Sequence, residues 1–153
     1  MLERVYFNTE DEIELVGLLE RPTNPTKRVV ISVHGMQSNC LKRREDILSK
    51  EISNAGVAYF AFNNRGAELM TYTRKTTGEK ILNGGSVYED VLDGYYDIKG
   101  AINKMLELGY TDIYLQGHSL GCTKIVYTYN KLKNENNVKN IKGIMLLSLV
   151  DMI

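Results

Sequence analysis

The spacing of apolar residues changes along the chain, and these changes separate predicted strands from predicted helices. Residues 2–8 and 12–20 predict two strands of a hairpin around Thr9, and polar and apolar residues alternate in the second strand, which indicates one solvated face. The runs 28–33 and 57–62 are apolar almost throughout, as is typical of strands buried on both faces. The chain therefore begins with a hairpin and continues into the interior of a sheet.

Helical spacing recurs in three segments. The first covers residues 41–55 and ends at Gly56, which suits a helix C-cap. The second begins with the capping-box pattern of residues 86–89 and ends at Gly109. Its apolar face consists of Val91, Tyr95, Ile98, Ile102 and Met105. The third segment extends to about Lys133, with a stripe formed by Leu120, Thr123, Ile125, Val126 and Tyr129.

Two further segments complete the pattern. Residues 67–85 are rich in Thr and Gly with scattered charges, which predicts a long connection of a kind that is often functional. The apolar run 141–150 predicts a last strand buried on both faces. A hairpin followed by alternating strands and helices implies an α/β fold with a mainly parallel sheet and flanking helices. We expect one domain over residues 1–153.

Composition narrows the classes of function. The chain has 153 residues, of which 43% are apolar and 25% charged, as in ordinary globular proteins. It carries 19 basic and 19 acidic residues, so no excess charge suggests a nucleic-acid or anionic membrane partner. No apolar run is long enough to span a bilayer, and the first residues lack the apolar core of a signal peptide.

The cysteines and histidines indicate neither a disulfide framework nor a metal site. Cys40 and Cys122 are too few for a disulfide scaffold, and reduced thiols favour the cytoplasm. The two histidines, His34 and His118, do not combine with them in a metal-ligand spacing. No dinucleotide-binding motif follows a strand either, so we expect no cofactor.

The clearest chemical motif is the pentapeptide Gly-His-Ser-Leu-Gly at residues 117–121. A short apolar strand, 113–116, precedes it and a helical pattern follows, which is the setting of a nucleophile elbow around Ser119. In such a turn the residues two before and two after the serine approach closely, so a side chain at Gly117 or Gly121 would obstruct the turn. A chance match in a loop is the alternative, and the flanking strand and helix argue against it.

The order of elements resembles the N-terminal part, strands 1–6, of the α/β-hydrolase fold, in the manner of serine esterases and lipases. The resemblance rests on three motifs that each follow a strand: His34-Gly35, Asn64-Arg65-Gly66 and the pentapeptide at 117–121. It implies that Ser119 attacks the carbonyl of a small ester, thioester or amide. It also implies an oxyanion hole formed by the backbone N–H groups of Met36 and Leu120.

The same resemblance assigns supporting roles and exposes a gap. It implies that His34 orients the oxyanion loop rather than serving as the base. His118 precedes the serine on the elbow, so its side chain should point away from the hydroxyl, and we expect Arg65 to brace a loop rather than to bind substrate. The family supplies its base from a histidine after the eighth strand, which has no counterpart in this sequence. Asp151 stands where a minority of the family places the acid, although an aspartate there also fits an ordinary surface position.

Two hypotheses about function follow. The first is a serine hydrolase of the carboxylesterase type whose base and acid are absent from this truncated chain. The second is an inactive hydrolase-fold protein used for binding or assembly, or the remnant of an interrupted gene. The resemblance places a seventh strand beside the strand at 141–150, and because this sequence has none we expect an open sheet edge there. The strand carries one charge and no proline, so it lacks the residues that normally keep an edge from pairing with another strand. Such an edge predicts self-association or binding of a completing segment.

Overall fold

Eight strands and three helices follow one another in the computed structural model, which describes residues 1–149 apart from the side chain of Leu82. The strands are β1 (Leu2–Asn8), β2 (Ile13–Glu20), β3 (Arg28–Val33), β4 (Ala58–Phe62), β5 (Thr71–Lys75), β6 (Lys80–Gly84), β7 (Asp112–His118) and β8 (Ile141–Leu147). The helices are α1 (Arg43–Asn54), α2 (Gly94–Glu107) and α3 (Leu120–Asn134), and a 3-10 turn (Val91–Asp93) precedes α2.

All eight strands belong to one sheet in which β4, β3, β7 and β8 run parallel to one another. The antiparallel strand β2 pairs with β1 along its whole length and shares its other edge between β4 and β5. This arrangement confirms the predicted α/β class with a mainly parallel core sheet. It also brings the carboxyl ends of β3, β4 and β7 together at one end of the sheet. Each of the three sequence motifs follows one of these strands.

The main core lies between the sheet and helices α2 and α3. Its centre includes Phe7, Phe60 and Phe62, whose rings contact one another at centroid distances of 5.5–5.9 Å. The predicted apolar face of α2 packs here, with Ile98 and Met105 fully buried. On the opposite face of the sheet, α1 covers a smaller cluster of buried residues: Val30, Cys40, Tyr59 and Ala61.

A hairpin lies where the sequence predicts a long connection, so the prediction for residues 67–85 is wrong. Strands β5 and β6 pair antiparallel around Gly78, which has a φ of +89°. In β5 one side chain, Thr73, is buried, so backbone hydrogen bonds rather than apolar burial hold this strand. A hydrophobic pattern cannot reveal a strand such as β5, because no apolar side chain of it is buried.

The predicted capping box over residues 86–89 is also wrong. The side chain of Asp90 accepts a hydrogen bond from the N–H of Leu92 at 2.9 Å and so begins the turn before α2. Glu89, the proposed partner of the box, instead forms a buried ion pair with Lys124 of α3. A tertiary contact has therefore replaced the local one.

Strand β8 forms one edge of the sheet, because within residues 1–149 it pairs with β7 alone. It covers residues 141–147 of the predicted 141–150, and position 150 lies outside the described residues. Its apolar side chains are half-exposed rather than buried, which contradicts the expected burial of both faces. The predicted stripe of α3 is likewise only partly buried, since Val126 is exposed.

Candidate active site

Ser119 occupies the sharp turn between β7 and α3. Its backbone angles, φ 53° and ψ −125°, lie in a region that residues other than glycine rarely adopt, so the elbow turn predicted around Ser119 is confirmed and is strained. The N–H of Ser119 donates to the carbonyl of Leu147 at 2.9 Å, and its own carbonyl accepts from Cys122 at 2.9 Å. The turn thus positions the serine directly beside the end of β8.

The two glycines of the pentapeptide permit this turn. A Cβ on Gly117 would lie 2.7 Å from the Cα of Cys122, which is closer than real Cβ atoms approach. A Cβ on Gly121 would overlap the carbonyl oxygen of Val33 and lie 2.9 Å from that of His34. Both positions are therefore closed to larger residues, as the sequence spacing predicts.

The loop after β3 lies against the elbow. A Cβ on Gly35 would be 3.0 Å from the Cβ of Ser119 and 3.5 Å from the amide nitrogen of Leu120. Met36, the other predicted oxyanion donor, follows Gly35 directly. Within residues 1–149 no hydrogen bond uses the N–H of Met36 or of Leu120. The amide of Leu120 thus lies beside the Gly35 loop without a partner in this part of the chain, and the role of both amides as oxyanion donors stays a prediction.

His34 is fully engaged in bracing this loop. Its Nε2 accepts a hydrogen bond from the backbone N–H of Asn64 at 3.1 Å, so Nδ1 must carry the proton that it donates to the carbonyl of Gly35 at 2.8 Å. Burial is the main reason why its pKa falls to about 4. Both ring nitrogens are occupied, and His34 therefore cannot accept the proton of Ser119.

The other histidine does not serve the serine either. Within residues 1–149 no hydrogen bond joins Ser119 Oγ to an imidazole, and desolvation followed by the nearby charge of Arg44 lowers the pKa of His118. Arg44 lies at the start of α1, on the sheet face opposite α3. The predicted acid, Asp151, lies outside the described residues.

The loop after β4 is held by buried polar contacts. Asn64 Nδ2 donates to the carbonyl of His34 at 3.3 Å, and its Oδ1 accepts from the N–H of Gly66 at 3.0 Å. The guanidinium of Arg65 donates to the buried carboxylate of Asp97 at 2.8 and 3.0 Å. These contacts agree with the expected role of Arg65 as a loop brace.

The ion pair between Lys124 and Glu89 was not predicted from the sequence. Both side chains are almost wholly excluded from solvent, and the carboxylate of Glu89 fills the space that a side chain on Gly66 would occupy. The pair therefore ties the elbow helix α3 to the loop after β4. The one sequence signal for this ion pair was Lys124 itself, a lysine among the buried positions of a helix. Its partner lies 35 residues away, so no local pattern joins the two.

No group of three or more His, Cys, Asp or Glu side chains in residues 1–149 is arranged to hold a metal ion. In the same part of the chain no helix combines the length and the apolar character that crossing a membrane requires.

Comparison with known proteins identifies the fold. No family model matches the sequence, and no curated protein matches it. Solved structures do match. The α/β-hydrolase GrgF from Penicillium sp. sh18 has a TM-score of 0.74 at 15% identity, over 97% of this chain and 46% of its own. The Pyrococcus furiosus esterase Pf2001 has a TM-score of 0.66 at 21% identity, over 94% of this chain and 50% of its own.

A third match, Est1E from Butyrivibrio proteoclasticus with ferulic acid bound, has a TM-score of 0.68 at 18% identity and covers 92% of this chain and 50% of its own. The chain therefore has the α/β-hydrolase fold, and the predicted resemblance is confirmed at that level. It spans about half the length of the solved structures that it matches.

Proposed function

We propose that this chain is the nucleophile-bearing part of a serine hydrolase of the carboxylesterase type, which acts on a small ester or related acyl substrate in the cytoplasm. The observation that carries the proposal is the geometry around Ser119. Its strained turn lies against the Gly35 loop, and the amide of Leu120, which has no hydrogen-bond partner within residues 1–149, adjoins both. A nucleophile beside preorganised N–H donors is the arrangement that acyl transfer requires.

The proposed reaction uses two backbone donors and one side chain of this chain. Ser119 Oγ bonds to the carbonyl carbon while a base removes its proton, and the carbonyl oxygen becomes an oxyanion that the N–H groups of Met36 and Leu120 stabilise. The tetrahedral intermediate expels the alcohol, which takes up the proton, and water then releases the acid and frees the serine. The base and the acid come from outside residues 1–149.

The second candidate is an inactive hydrolase-fold protein used for binding or assembly, or a gene remnant. One observation favours it: His34 is committed to other partners, and no imidazole reaches Ser119 within the described residues. A serine hydroxyl is a weak nucleophile until a base takes its proton.

Hydrolysis of p-nitrophenyl acetate tests the first candidate. The purified chain is expected to exceed the uncatalysed rate only slightly, because oxyanion donors alone give a small residual acceleration. Ser119→Ala should leave that slight acceleration in place, because the backbone donors do not depend on the serine hydroxyl. Fast turnover that either His34→Ala or His118→Ala abolishes would show that the base lies within this chain after all.

A further inference from the structure

A crevice lies where the edge of β2 passes from β4 to β5, and we call it the β5 crevice. The N–H of Asn63, directly after β4, donates to the carbonyl of Val16 at 2.9 Å, and Arg74 of β5 pairs with Glu14. The chain thus advances eleven residues along an edge on which β2 advances two. The excess forms a loop beside the sheet, and the space between this loop, β2 and β5 measures about 300 Å³. None of residues 117–121 lines it.

The loop wall of the β5 crevice is held by contacts of its own. Asn63 Oδ1 accepts a hydrogen bond from the N–H of Cys40 at 2.8 Å. The N–H of Glu68 donates to the carbonyl of Ser38 at 3.1 Å, and Arg65 anchors the same loop to α2. A ligand would therefore enter a formed site and would not have to order the loop, which removes one cost of binding.

An apolar row forms one half of the crevice floor. Tyr6 of β1 pairs with Val16, and Tyr72 of β5 lies two residues before Arg74, the partner of Glu14. These side chains alternate with the core residues of their strands, so they lie on the sheet face that α1 partly covers. Tyr6 is 51% and Tyr72 65% exposed. Two tyrosine rings beside a valine suit a flat apolar group.

A charged row lies beside the apolar one on the same face. Glu14 pairs with Arg74, and Arg74 pairs with Lys80 of β6. Nε of Arg74 lies 3.3 Å from Oε1 of Glu14, whereas Lys80 has no acidic partner within residues 1–149. Glu68, the other acid of the crevice, accepts a hydrogen bond from the side chain of Asn39 and so faces the loop after β3. The row therefore has one positive charge more than it has negative charges.

Three polar groups of the β5 crevice have no hydrogen-bond partner within residues 1–149: Asn63 Nδ2, Lys80 Nζ and the hydroxyl of Thr73. Thr73 is 8% exposed. In that part of the chain Thr128 has the one buried side-chain polar atom that lacks both a partner and solvent, so the Thr73 hydroxyl still meets solvent at the crevice that it lines. An amide N–H and an ammonium only donate, so a ligand must bring an acceptor.

We propose that the β5 crevice binds a small carboxylate with a flat apolar body. The body lies on Tyr6, Val16 and Tyr72, and the carboxylate accepts hydrogen bonds from Arg74 and Lys80. A guanidinium and an ammonium side by side match the two oxygens of a carboxylate. A volume of this size lies at the lower end for ligand pockets, so the ligand is small. The inference does not depend on the proposed function.

The test titrates the 153-residue chain with 3-phenylpropionate and follows its amide signals by NMR. We expect saturable binding with a Kd of about 1 mM or tighter, with the largest shifts at Tyr72 and Arg74. The neutral amide 3-phenylpropionamide, which has the same shape, should bind at least fivefold more weakly. Inorganic phosphate, which has charge but no flat body, should also bind at least fivefold more weakly.

Matched variants separate the two rows. Lys80→Gln should weaken binding of the acid at least fivefold and leave that of the amide unchanged, whereas Tyr72→Ala should weaken both at least fivefold. Lys75→Gln is the control for charge, because Lys75 lies on β5 with its side chain on the other face, beside Glu79. Tyr88→Ala is the control for the ring, since Tyr88 is 49% exposed and does not line the crevice. Both controls should bind as the unchanged chain does.

Four results would overturn the inference: no saturation at ten times the expected Kd, equal binding of acid and amide, phosphate binding as tight as that of the acid, or variants that bind no worse than their controls. Ser119→Ala should bind the acid as the unchanged chain does. A chain that binds the acid while Ser119 stays unreactive would count against the proposed function alone.

Discussion

On one side of Ser119, residues 34–36 and 64–66 are joined by buried hydrogen bonds, whereas on the other side residues 143–149 end the sheet in half-exposed apolar side chains. We call these the closed flank and the open flank. His34 is 1% exposed on the closed flank, and Leu149 is 59% exposed on the open flank. Within residues 1–149 the closed flank is thus fixed by buried polar contacts, whereas the open flank leaves apolar side chains in contact with solvent.

Matched glycine substitutions should show the largest difference between the flanks. Gly121→Ala places a methyl group on the carbonyl oxygen of Val33, which is backbone that cannot move aside. We expect it to lower the free energy of unfolding by about 3 kcal/mol or more. Gly143→Ala on the open flank places its Cβ 3.1 Å from the ring of Tyr114, a side chain that can shift. Its expected cost is below about 1 kcal/mol.

Urea unfolding at low protein concentration measures both variants. Equal losses would mean that the open flank is as tightly packed as the closed one, and the comparison would fail.

Acid should weaken the closed flank through His34. The folded chain holds the pKa of His34 at about 4, below its ordinary value of 6.5, so the unfolded chain binds more protons between these values. The contribution of His34 is therefore fully present above about pH 6.5 and is lost as the pH falls towards 4. A shift of this size corresponds to about 3 kcal/mol. The NMR titration of its ring carbon checks this: a midpoint near 6.5 would contradict the buried, neutral imidazole.

Removing one polar side chain from the closed flank should have a moderate effect. Asn64→Ala leaves the N–H of Gly66 and the carbonyl of His34 without their partner, at an expected cost of about 1–3 kcal/mol. Asn24→Ala, in an exposed turn, is the control and should change stability by less than about 0.5 kcal/mol. Thermal unfolding of both variants measures the difference, and an Asn64 variant as stable as the control would show that the loop is held in another way.

Shortening one side chain on the open flank should have the smallest effect on stability. Met145→Ala removes a side chain that is already 37% exposed, so less than about 1 kcal/mol should be lost. The free chain should also associate less, since a smaller apolar surface remains. Light scattering over a range of concentrations measures this association. Asn64→Ala, from the closed flank, is the control and should leave association unchanged.

The sequence predicted the elbow because its requirement is local. Two glycines, a serine and their flanking strand and helix lie within one short stretch, so their spacing carries the geometry. The parallel strands were also predictable, since burial on both faces leaves continuous apolar runs such as residues 28–33 and 57–62.

Other features depend on contacts that no short stretch contains. Strand β5 buries no apolar side chain, and Glu89 and Lys124 meet only after folding. The sequence pattern of β8 predicted a buried strand, and its exposure follows from what lies next to it rather than from its own residues. The role of His34 was suggested by the resemblance, whereas its fixed tautomer required the position of Asn64.

Chemical rescue tests most directly whether Ser119 is preorganised but lacks a base. The chain is treated with a fluorophosphonate probe, with and without added imidazole, and intact mass and peptide mapping follow the modification of Ser119. We predict slow labelling that free imidazole accelerates several-fold and that Ser119→Ala abolishes. Fast labelling without imidazole that depends on His34 or His118, or no labelling of Ser119 under either condition, would contradict the account.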